Sequence, residues 1–124
     1  MSRSIVFVVA LLAGVFASTA HAFRVLEQVE YSVELMLREL KLPADVGGTV
    51  QYRACASCSV KTHAVTAETK YIVNERVLPL AEFLAEIETI RDRPSVQERT
   101  IAGVFLDINT ERVNKVVVVV SDPD

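Results

Sequence analysis

Cys55-Ala56-Ser57-Cys58 sets two thiols three residues apart. At that spacing they can close a small disulfide ring, exchange disulfides as a redox pair, or share a metal. A redox pair is activated by a helix N-terminus and sits in a βαβ surround. Here Thr49–Arg53 and Ser59–Val65 alternate as strands on either side, so that context is missing. A tetrahedral metal site takes four ligands, or three and a water, and after the leader His63 is the one histidine to add to the two sulfurs. Covalent haem needs histidine directly after the second cysteine, where Ser59 stands, and no G-x-S-x-G nucleophile elbow occurs. Glu82, Glu86 and Glu88 lie opposite Phe83, Leu84 and Ile87 and read as a solvated helix face rather than as an acid–base pair. No catalytic, cofactor-binding or metal-binding residue is assigned. Cys55 and Cys58 are read as a disulfide across a tight turn, the alternative being a thiol-disulfide or metal-handling factor that uses this pair, with His63 as a third ligand or pKa modifier.

The compartment favours the disulfide. Met1-Ser2-Arg3-Ser4 carries one cation and no acid, and Ile5 to Ala17 is unbroken small or apolar sequence. That is the n-region and h-region of an export signal, too short for the roughly 20 apolar residues a spanning helix needs. Ala20-His21-Ala22 supplies the small-x-small cleavage pattern. Residues 1–22 are therefore expected to be a cleaved signal peptide and 23–124 one exported domain beginning at Phe23, periplasmic or secreted, with no stable membrane anchor. Disulfides persist in such compartments.

With Arg3 removed, 12 basic and 16 acidic residues remain, a net charge of about −4. Scattered cations on an acidic chain give no footprint for nucleic acid. The implied partner is an unknown protein or small ligand, and oligomeric state is not specified by composition.

The elements that must position the cysteines follow from periodicity. Phe23 to Leu42 fits both a helix and a strand, and we adopt a strand over about 30–40, preceded by a short arm. Leu42-Pro43-Ala44-Asp45 and Val46-Gly47-Gly48 are turn chemistry. Thr49–Arg53 and Ser59–Val65 form a hairpin-like pair around the cysteines, and Lys70–Val73 is a third short strand, with Val77-Leu78 continuing the pairing briefly. Pro79 opens a helix whose Leu80, Phe83, Leu84, Ile87 and Ile90 share one face, and the chain should leave the helix near Arg93, before Pro94. Thr100–Leu106 and Val113–Val120 make an antiparallel hairpin. Val116–Val120 has no polar residue on either side, which predicts a strand covered on both faces.

The order predicts an α+β fold: a curved antiparallel sheet or partly closed barrel with one packed helix. Val65-Thr66-Ala67-Glu68-Thr69-Lys70-Tyr71, then Val77-Leu78-Pro79-Leu80-Ala81-Glu82-Phe83, then the two closing strands, resemble small exported OB-like barrel domains of unassigned function. The resemblance spans residues 48–120. It implies an OB-like barrel and no particular ligand, and the longer helix and the cysteine pair depart from the usual form. The functional expectation is a non-enzymatic binding or interaction module.

Overall fold

Alternating β-branched and aromatic residues give eight strands in the computed structural model, which describes residues 29–121. The expected leader and cleavage site and the expected arm at 23–28 lie outside the described residues. The strands are β1 (Glu30–Met36), β2 (Leu40–Lys41), β3 (Thr49–Arg53), β4 (Val60–Ala64), β5 (Lys70–Val73), β6 (Arg76–Leu78), β7 (Thr100–Asp107) and β8 (Val113–Val120). Two helices, α1 (Leu80–Arg91) and α2 (Pro94–Gln97), separate β6 from β7. The fold is α+β, with a five-stranded sheet in the order β1-β7-β8-β5-β6 and a three-stranded sheet in the order β2-β3-β4.

The first segment resolves as a strand broken by a single 3-10 turn, Leu37–Glu39, which buries Leu37 and starts the chain afresh as β2. The sheet is not purely antiparallel as expected. β1, β7 and β8 pair antiparallel, but β5 runs parallel to β8, with Tyr71 opposite Val116 and Val73 opposite Val118. Parallel neighbours need a long crossover, and β6, α1, α2 and β7 provide it. No ladder joins the two sheets, so they do not close into a barrel.

The helix packs through the face its spacing marks. Phe83, Ile87 and Ile90 are buried, with Leu80 and Leu84 partly so. They join Val104, Leu106, Val116 and Val118 of the large sheet and Val50 and Tyr52 of the small one in one apolar cluster. Pro79, placed by the sequence in the first turn, is instead the residue that caps α1, and Arg91 closes the helix. Arg91 Nη2 then donates to the Leu40 carbonyl at 2.8 Å, tying the helix end to β2. The short α2, unanticipated, starts at Pro94, where the missing N–H costs a first turn nothing.

Coverage of β8 is one-sided. Val116 and Val118 are fully buried, whereas Val119 is 51 % exposed. The all-valine run reflects its place between β7 and β5, where both edges are paired, and not a second covering layer among the described residues.

Candidate functional site

The small sheet is built from the turn that starts it. The Asp45 carboxylate accepts from Gly47 N at 3.0 Å and its carbonyl from Gly48 N at 3.1 Å. A Cβ on Gly48 would come within 2.9 Å of Pro43 Cβ, so glycine is what lets the turn close. β3 and β4 then run antiparallel, with Val50 opposite His63 and Arg53 opposite Val60. The sequence-predicted pair lies at the far end: Cys55 and Cys58 are disulfide-bonded, their Cα atoms 5.0 Å apart, in a turn where Cys58 N donates to the Cys55 carbonyl. A ring this small adds about 2 kcal/mol or less, but it holds the hairpin tip in one shape.

Beside that tip is a groove of about 430 Å³ lined by Glu39, Gln51, Tyr52, Arg53, Cys55, Ala56 and Val60. Its floor is the end of β3, its walls the 3-10 turn and the disulfide turn. Cys55, Arg53 and Val60 are exposed there. From Val46 to Ala67 the sequence contains no Asp or Glu, and the strands of the small sheet carry Lys41, Arg53 and Lys61. Among the described residues the ion pairs are Arg76–Glu86 and Lys115–Glu30, so none of these three cations is neutralised by a neighbour.

His63 is at the other end of β4, about 10 Å along the strand from the cysteine turn at 3.3 Å per residue. It is 8 % exposed, and both ring nitrogens are engaged. Nδ1 lies 3.0 Å from the Glu111 carbonyl oxygen. A carbonyl only accepts, so Nδ1 carries the proton. In the neutral ring Nε2 then accepts from the Tyr52 hydroxyl at 3.1 Å, and the two rings stack with centroids 5.7 Å apart. Tyr31 OH also reaches the Glu111 carboxylate, at 3.4 Å. His63 therefore is neither a third ligand nor a pKa modifier for the cysteines: its nitrogens are committed to fastening the small sheet to the β7–β8 loop. Glu111 holds a left-handed φ of 58° to offer its carbonyl. Burial, with smaller contributions from Tyr31 and Glu111, pushes the Tyr52 hydroxyl above its ordinary value of 10.0.

Among the described residues no three His, Cys, Asp or Glu side chains converge as a metal site, and the two sulfurs are spent on each other. Of the helix carboxylates, Glu86 takes a two-pronged contact from Arg76 Nη2 at 2.7 and 2.8 Å, while Glu82 and Glu88 are exposed. They do not converge on the groove. Sequence reasoning found the cysteines and missed Tyr52, Arg53 and Glu39. The acid-free stretch around the cysteines was the available signal, and it was masked by a net charge averaged over the chain.

No helix among the described residues is long and apolar enough to cross a membrane. No protein-family model, curated protein or solved structure matches this chain.

Proposed function

We propose that this protein is an exported, soluble α+β domain, residues 23–124, released to the periplasm or outside the cell by cleavage after Ala22, which acts by binding rather than by catalysis. The observation that carries the reading is the groove beside the stapled hairpin tip, where Arg53, which makes no ion pair, the Glu39 carboxylate, the Tyr52 ring and an exposed apolar valine converge. Small concave sites with a few convergent polar groups are where ligands bind. The disulfide accords with an oxidising compartment.

An OB-like plan supports the same reading. β1 passes into β2 through one 3-10 turn, and β4 passes into β5 through residues 65–69, where Thr69 Oγ1 donates to the Val113 carbonyl at 2.7 Å. Counting each of these as one bent strand gives the cyclic order β1/β2, β3, β4/β5, β8, β7 and back to β1. That is a five-stranded, partly open Greek-key arrangement with the helix before the fourth strand.

The test is a nuclear magnetic resonance titration of ¹⁵N-labelled protein with short acidic, basic and neutral peptides and a small-molecule fragment set. Shifts should gather on Glu39 and on residues 51–60. Shifts centred on α1, or none with any probe, would remove the binding reading.

A further inference from the structure

The three-stranded sheet has a free edge beside that groove, and its backbone register shows which groups it offers. Val65 N donates to the Gly48 carbonyl at 3.0 Å, one step beyond the Thr49–Ala64 pair. In an antiparallel ladder hydrogen-bonded pairs alternate with non-bonded ones. Residues 65, 63 and 61 of this strand therefore point their amides and carbonyls at β3, and Val60, Thr62 and Ala64 point theirs outward. β4 has β3 as its sole strand partner among the described residues. Val60, Lys61, Thr62 and Ala64 are all exposed.

We propose, resting on the binding reading above, that the occupant of this site is an extended acidic peptide segment that adds as a fourth strand to β4 and lays its end into the groove at the cysteine turn. Strand addition takes affinity from main-chain hydrogen bonds and specificity from alternate side chains. The charge argues for acid. Lys61 on the edge and Arg53 in the groove make no ion pair, no carboxylate occurs from Val46 to Ala67, and Glu39 is the one carboxylate lining the groove, so two cations face one anion along the ligand's path. The same lysine disfavours the obvious rival, a second copy of this chain. Two β4 edges paired antiparallel through their outward groups, with Thr62 opposite Thr62, would set both Lys61 side chains on one face and bring like charges together; charged edge residues are a device by which strands avoid self-association. The disulfide and the His63 contact to Glu111 fix both ends of β4, so little ordering is left to offset on binding.

The probe is a fluorescent peptide of about ten residues alternating glutamate and threonine, measured by anisotropy against the whole protein. Two isomers carry N-methyl groups on alternate amides, one on the glutamates and the other on the threonines. Because one edge of the peptide pairs with β4, the isomers should differ in affinity by at least about tenfold, and the lysine-for-glutamate peptide should bind at least about tenfold more weakly than the parent. Lys61→Glu, at an exposed position that leaves the fold intact, should weaken the parent peptide by a similar factor, and rising salt should do so progressively. Isomers of equal affinity, whether both bind or both fail, would overturn strand addition, as would undiminished binding to Lys61→Glu. If equal isomers still shifted the resonances of Glu39 and residues 51–60, the groove would remain a binding site and the edge alone would fall. If no peptide or fragment shifted them, both readings would fall together.

Discussion

The two sheets differ in what their side chains are for. In the five-stranded sheet β7 buries every second residue from Thr100 to Leu106 against a helix face made of Phe83, Ile87 and Ile90. In the three-stranded sheet β4 buries only His63, and it does so through hydrogen bonds rather than apolar contact. One region is held by area removed from water. The other buries Leu40, Val50 and Tyr52 in the same core but adds a small covalent ring, a histidine fastening and the arginine that reaches Leu40, and it leaves its β4 edge charged and open. Binding surfaces come from the less densely packed end of a molecule because they must stay accessible.

The comparison is sharpest at Phe83, fully buried with its ring 5.1 Å from Tyr71. Phe83→Ala should cost about 3–5 kcal/mol, read as a drop in the denaturation midpoint. An unchanged midpoint would mean that the helix does not hold the large sheet. The next largest effect belongs to the fastening between the sheets. His63→Ala strands the Tyr52 hydroxyl and the Glu111 carbonyl, and should cost about 1–3 kcal/mol. A loss as large as that of Phe83→Ala would erase the distinction between the regions.

Reducing the disulfide, or replacing both cysteines with serine, should cost about 2 kcal/mol or less and leave the helix and the β7–β8 hairpin folded. Titration in thiol buffers sharpens this further. A structural disulfide has a potential below about −300 mV, and a value near −120 to −200 mV would restore the thiol-exchange alternative.

The smallest effect is expected at Tyr71, whose hydroxyl is buried with no hydrogen-bond partner among the described residues. Tyr71→Phe should be neutral or slightly stabilising at pH 7. Burial raises this hydroxyl above 10.0. Its neutral form is thus favoured by folding: the contribution is fully present below pH 10 and is lost as the pH climbs through the raised value. Tyr71→Phe should therefore shift alkaline unfolding to higher pH, and an unmoved alkaline limb would contradict the burial of that hydroxyl.

Much of the large sheet and its helix was legible in the sequence, because Leu80 to Ile90 carries the helical spacing that burial enforces and Thr100 to Leu106 and Val113 to Val120 are apolar, largely β-branched runs joined by turn residues. The hairpin around the cysteines was legible too, from its β-branched alternation and its turn residues. The parallel β5–β8 pairing was not, since strand direction depends on the crossover rather than on the residues of Lys70–Val73. Neither was the open face of β8: a valine run records that a strand is central, and Val119 shows that central and covered are separate properties. The groove was hidden for another reason. Glu39, Tyr52 and Arg53 meet at the cysteine turn only because the 3-10 turn at Leu37–Glu39 brings the end of β1 round to β3.

Hydrogen exchange of the protein, alone and with the glutamate–threonine peptide at saturation, tests the division of labour most directly. The account predicts that the outward amides of Thr62 and Ala64 slow by at least about tenfold with peptide bound, while the β7 and β8 amides, already protected by the core, exchange unchanged. Unaltered exchange at Thr62 and Ala64, or new protection over Val117 and Val119 instead, would contradict it.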